Sequence, residues 1–118
     1  MAMLESRPRA YNGPDRRHYR VLITQNTEYH CKDMICIAVR DLKSGSFKSD
    51  HPALGRRMSG GIAFTNEGSI SSFTKPDEWP HPGERVMFSA GRLENELQTS
   101  PLRAVSRPSK ETVRHYSR

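Results

Sequence analysis

Turn punctuation limits the folds open to this chain more than any other feature. Short runs of β type recur at spacings near ten residues, each closed by Gly, Pro, Asn or Asp, and no window holds a 3.6-residue apolar repeat over three turns. "YRVLITQ" puts Tyr19, Val21 and Ile23 on one face, with Leu22 and Thr24 on the other. "MICIAVRD" alternates Ile35, Ile37 and Val39 with Cys36 and Ala38. Between them, "NTEYHCKD" continues a strand and turns near residues 32–33, which predicts a long hairpin. "GGIAFT" and "SISSF" read as strands joined across "NEG", and "ERVMFSAG" sets Val86 and Phe88 against Met87. Pro101 interrupts "ENELQTSPLRAVS", which predicts an edge strand or a bulge there. The fold class expected is all-β: a small single-domain barrel of about six to seven short antiparallel strands over residues 16–106.

The connections and ends follow from composition. "DLKSGSF" carries a turn on residues 43–45. "SDHPALG" has Asp50 as an N-cap, Pro52 in a first turn and Gly55 as a stop, enough for one helical turn. "TKPDEWPHPGE" holds three prolines and a glycine and reads as a loop, with Trp79 placed to pack over an open barrel end. Residues 1–15 are too polar to offset the entropy of ordering and are expected to be disordered. Residues 107–118 form a basic tail, flexible or with a short helix over residues 109–115.

With 118 residues, 34% of them apolar, the chain can bury one modest core. It lacks an apolar run approaching the roughly 20 residues of a membrane span, and "MAMLESRPRA" has no apolar signal-peptide core, so the expected location is cytoplasmic. Cys31 and Cys36 are too few for a disulfide scaffold, and the scattered histidines supply no zinc spacing, so both are expected as buried strand residues. The net charge of +6 is unevenly placed. Residues 1–20 hold five arginines against two acids, and residues 107–118 hold four cations against one, which leaves residues 21–106 with ten of each. A neutral body therefore carries two basic ends, whose fields attract polyanions at low salt.

Searching for catalytic chemistry gives little. Ser59 in "RRMSGGI" lacks the preceding glycine of a nucleophile elbow, and Gly60 and Gly61 read instead as a bulge or close backbone approach. Asp77 and Glu78 sit in a loop without an identifiable acid–base partner, and there is no Walker or dinucleotide motif. A non-enzymatic binding module with no cofactor and no metal is expected.

The strongest binding feature is "PDRRHYR", three arginines and a histidine just ahead of the first strand. An arginine fork donates paired hydrogen bonds to phosphate or a guanine edge and stacks on flat bases. Arg16 and Arg20 form an Arg-x-x-x-Arg pattern, which resembles the first signature of PilZ domains. That resemblance implies a six-stranded barrel that binds cyclic di-GMP, with the two arginines clamping guanines and phosphates. The family's second signature is Asp/Asn-x-Ser-x-x-Gly. "RDLKSGSF" offers Asp41 at its acidic position, with Lys43 for Ser and the glycine one residue early. "RRMSGGI" offers Ser59 in register, with Arg57 for the acid and Gly61 one early. The ligand-binding set expected is thus Arg16, Arg17 and Arg20, faced by Asp41 or by the bend at Ser59 to Gly61.

Two other classes stay open. A nucleic-acid binder would use both tails electrostatically and a barrel face for stacking, with Tyr29, Phe47, Phe64 and Phe73 serving as core, rim or base platforms. A protein-interaction module would offer the neutral barrel, with an edge near "QTSPL" for strand addition.

Overall fold

The computed structural model describes residues 17–89 and 96–116, so the expected disordered leader and Arg16 lie outside the described residues. Among the described residues, nine strands and one helix follow in chain order: β1 (Tyr19–Ile23), β2 (Thr27–Lys32), β3 (Ile35–Asp41), β4 (Phe47–Lys48), β5 (Met58–Phe64), β6 (Ile70–Thr74), β7 (Arg85–Phe88), β8 (Leu97–Pro101), β9 (Ala104–Ser106) and α1 (Lys110–Tyr116). All pairings are antiparallel and build two sheets, ordered β4-β3-β2-β1-β9 and β6-β5-β7-β8. The all-β class is as expected, with more and shorter strands than the six to seven anticipated. The added pieces are two-residue β4 and the division of the "QTSPLRAVS" run at Pro101, which lacks the N–H a ladder needs.

Local chemistry sets the turns. β1 and β2 join through a turn in which Thr24 gives both its amide and its hydroxyl to the Thr27 carbonyl, each at 2.9 Å. β2 and β3 join through Asp33 and Met34, both at positive φ, 49° and 75°. Two such residues in succession match the twist of a hairpin. Asp tolerates the conformation. Met34 keeps its place because it packs against the core. Residues 52–55 make the turn expected from "HPALG", with Arg56 N bonded to the Ala53 carbonyl at 3.1 Å.

The core lies between the sheets. Leu22, Tyr29, Cys31, Cys36 and Val39 from the first meet Met58, Val86 and Phe88 from the second, with Ala53 and Leu102 contributed by connections. Cys31 and Cys36 are free, buried and paired across β2 and β3. Main-chain bonds stitch the sheets at two places. On one side Ile35 bridges Arg57, and Cys36 N reaches Arg56 O at 2.9 Å. On the other, Leu102 bonds Glu84 and Gly83, while Arg103 N bonds Ile23 O at 2.7 Å, so the chain passes from the second sheet onto the first.

α1 lies on the outer face of the first sheet. Ser109 caps it by accepting the Thr112 amide at 3.1 Å, Glu111 sits in its first turn, and Arg114 and His115 sit in its last, all favourable to the helix dipole. Val113 is buried, Tyr116 stacks on Tyr19 at 5.4 Å between ring centroids, and His115 stacks on Phe47 at 5.0 Å. Tyr116 also meets His30, a buried histidine whose second nitrogen contacts Glu28 at 3.0 Å. Burial lowers the His30 pKa against the pull of Glu28. Seven residues cannot hold a helix unaided, so docking is what keeps α1 folded. Val113→Ala is expected to cost about 1.5 kcal/mol and to speed amide exchange across α1 while β1 to β3 stay protected; equal exchange in both proteins would contradict this. No helix among the described residues is long and apolar enough to cross a membrane.

Candidate binding site at the arginine end of the sheets

The start of β1, the end of β2 and the start of β3 share one end of the first sheet, since Tyr19 pairs with Lys32 and Lys32 with Ile35. The Ile35 to Arg57 bridge brings the entry of β5 to that same end. Arg20 lies here, on the strand face that carries Leu22 into the core. Its guanidinium carbon stands 5.8 Å from the Trp79 ring centroid. The same guanidinium donates to the carbonyls of Arg17 at 3.1 Å and Tyr19 at 2.8 Å, which curls the arginine approach around it. Arg17 and His18 begin the described residues and are exposed; His18 meets Asp33 at 2.9 Å.

Trp79 belongs to the loop between β6 and β7, and β5 sets the position of that loop. Gly60 has φ 123°, and a Cβ added there would stand 2.3 Å from the Thr74 carbonyl oxygen. An added Cβ on Gly61 would stand 2.6 Å from Glu84 Oε1 and 2.7 Å from Pro80 Cβ. The missing side chains let the loop lie against the strand. Arg57 pairs with Asp77 of the loop.

Beneath this loop lies a buried carboxylate. Glu84 is 1% exposed and accepts from Ser72 Oγ at 2.5 Å, Thr74 Oγ1 at 2.7 Å and the His81 amide at 2.9 Å. Burial pushes its pKa up, but the bonds from Ser72, His81 and Thr74 and the nearby His81 ring outweigh that and hold it below the ordinary glutamate value. "PGE" looks like loop in the sequence, so Glu84 went unmarked; its only sequence signal is the pair of small residues, Gly60 and Gly61, that make room for it.

The expected ligand set divides. Arg17, Arg20, Ser59 and Gly61 lie toward one end, where Arg20 meets the Trp79 ring and Gly61 meets the neighbouring Pro80. Ser59 contacts the Met87 carbonyl and Glu96, each at 3.2 Å. Asp41 lies at the other end of the sheet: Arg20 pairs with Cys31 on β2, whereas Asp41 pairs with Thr27. The offset of four residues is about 13 Å along the strand, so Asp41 does not face the arginines. It holds a turn instead, accepting the Ser44 amide at 2.8 Å, and Ser44 lowers its pKa.

No protein-family model matches this chain, and neither a curated protein nor a solved structure is significantly similar to it.

Proposed function

We propose that the chain is a non-catalytic, PilZ-like binding module for a cyclic dinucleotide, with cyclic di-GMP the first candidate. Under this reading the two stitched sheets act as a small, incompletely closed barrel, and its arginine end is the ligand site. The carrying observation is Arg20 lying over Trp79 beside the bend at Gly60 and Gly61. A guanidinium and an indole offer two flat surfaces for a purine. Arg17 and Arg57, the latter paired with Asp77, add exposed cations near the same end for phosphate. Arg16 and Arg20 supply the Arg-x-x-x-Arg spacing. The opposing wall in this reading is the glycine bend and not Asp41.

The single tryptophan makes the test direct. Cyclic di-GMP is expected to change Trp79 emission saturably and to release heat in titration calorimetry. Arg20→Ala should weaken binding about tenfold or more, the loss of one charge-assisted contact. Asp41→Asn should bind as wild type. Absence of both heat and an emission change with the wild type would end this reading, as would full-strength binding by Arg20→Ala.

A further inference from the structure

We infer that the outer face of the four-stranded sheet is a binding platform for single-stranded nucleic acid. This face is separate from the arginine end, so its test stands or falls independently of cyclic-dinucleotide binding. Phe64, Ile70 and Phe73 are 49%, 59% and 55% exposed. The ladder shows why they stand together. Phe64 pairs with Ile70, Ile62 pairs with Phe73, and cross-strand partners share a face. Ile70 and Phe73 are an odd number of positions apart, so a regular strand would send them to opposite faces. The register shift between Ala63 and Phe64 leaves Ser71 as an extra residue and turns both outward.

Charge chooses among occupants. Ile62 also pairs with Arg85, the one charged residue among the strand residues of β5, β6 and β7, and Lys75 follows two positions after Phe73. No carboxylate lies on those outward strand positions. The three exposed side chains present roughly 300 Å² of apolar surface, well below the about 800 Å² per partner of a stable dimer. Glu67 sits in the turn at the Phe64 and Ile70 end, while Arg85 and Lys75 flank the Ile62 and Phe73 end; an apolar, aromatic surface with two cations along that edge suits a polyanion that has flat apolar rings. Phe64 and Phe73 are diagonal neighbours, roughly 7–8 Å apart. That is more than twice the base-stacking rise of about 3.4 Å, so each would receive one base of a strand whose bases are separated. Duplex bases are already stacked and hide their faces.

The test uses the full chain and a fluorescein-labelled twelve-nucleotide single strand, followed by anisotropy. Phe64→Ala and Phe73→Ala are each expected to weaken binding about tenfold, and Phe64→Tyr, which keeps a ring, should restore most of it. Because the rings touch no phosphate, the salt slope should stay as in wild type in the alanine variants, whereas Arg85→Gln should lower it by about one unit. Unchanged melting temperatures would show that the variants fold. Wild-type affinity in the double alanine variant would overturn the inference by assigning any binding to the tails. Equal or tighter binding of the matching duplex would overturn it too. So would loss in these variants of binding to phosphatidylserine vesicles, or of self-association in sedimentation, while strand binding is unchanged.

Discussion

Gly60→Ala is expected to be strongly destabilising. Two costs coincide at this residue. The backbone has φ 123°, which an L side chain rarely adopts, and the new methyl would stand 2.3 Å from the Thr74 carbonyl oxygen. The obstacle is backbone of the paired strand and cannot swing aside as a flexible side-chain end would. Strain and overpacking together should cost about 3–5 kcal/mol, a large part of the roughly 5–15 kcal/mol that holds a domain folded. Urea denaturation should show the midpoint moving sharply down, with Trp79 emission reporting the lifted loop. Gly68→Ala is the control: its φ is 89° but nothing lies within 4 Å of the added carbon, so only the backbone cost of about 1–2 kcal/mol is expected. If the two variants proved equally stable, the close approach of Gly60 to the Thr74 carbonyl would be refuted.

Glu84→Ala should cost about 3 kcal/mol, because it takes the carboxylate acceptor from the Ser72 and Thr74 hydroxyls and the His81 amide, leaving the Thr74 hydroxyl only His81 Nδ1 at 3.2 Å. For a domain of this size that is a fall of roughly 12 °C in melting temperature. Glu84→Gln keeps one acceptor oxygen and should be milder. The pH dependence has a definite sign. The folded pKa is depressed, so the carboxylate contributes its full stability above the unfolded value, about 4.3, and loses it as pH falls through the lower folded value. Wild type should therefore lose stability more steeply than Glu84→Gln in acid, below about pH 5. Parallel acid profiles would remove Glu84 from the account.

What could be read from the sequence was local, and what could not depended on pairing. The runs "YRVLITQ", "MICIAVRD" and "ERVMFSAG" coincide with β1, β3 and β7, and "NEG" marks the β5 to β6 turn, but the alternation expected in "MICIAVRD" is broken: Cys36 and Val39 both enter the core and Ile37 is exposed, because the register shift between His30 and Cys31 leaves Ile37 as an extra residue. The chain reversal near residue 33 was visible, but the earlier one at Gln25 and Asn26 was not, since it has no Gly or Pro and relies on Thr24. Asp41 was grouped with the arginines by its distance along the sequence. The reversal at Asp33 and Met34 starts β3 at the arginine end and carries Asp41 away from it. Phe64 and Phe73 could be core or surface until the extra residue Ser71 fixed their face. Trp79 was expected over the open end of a barrel; what the structure shows is Trp79 packed against the core from the β6 to β7 loop, with Arg20 on its ring.

The neighbours of β1 also impose an order of assembly. Val21 pairs with His30 on one side and with Ser106 on the other, one partner close in the chain and one near its far end. During synthesis the β1 to β3 meander can zip as soon as it emerges, because its loops are short. The opposite edge of β1 must wait, unpaired, until β9 leaves the ribosome. For that interval a central strand behaves as an exposed edge, open to pairing with another nascent chain. Slow translation across the segment between β7 and β9 would lengthen this exposure, so the soluble yield of this protein should depend on how quickly its last strand is made.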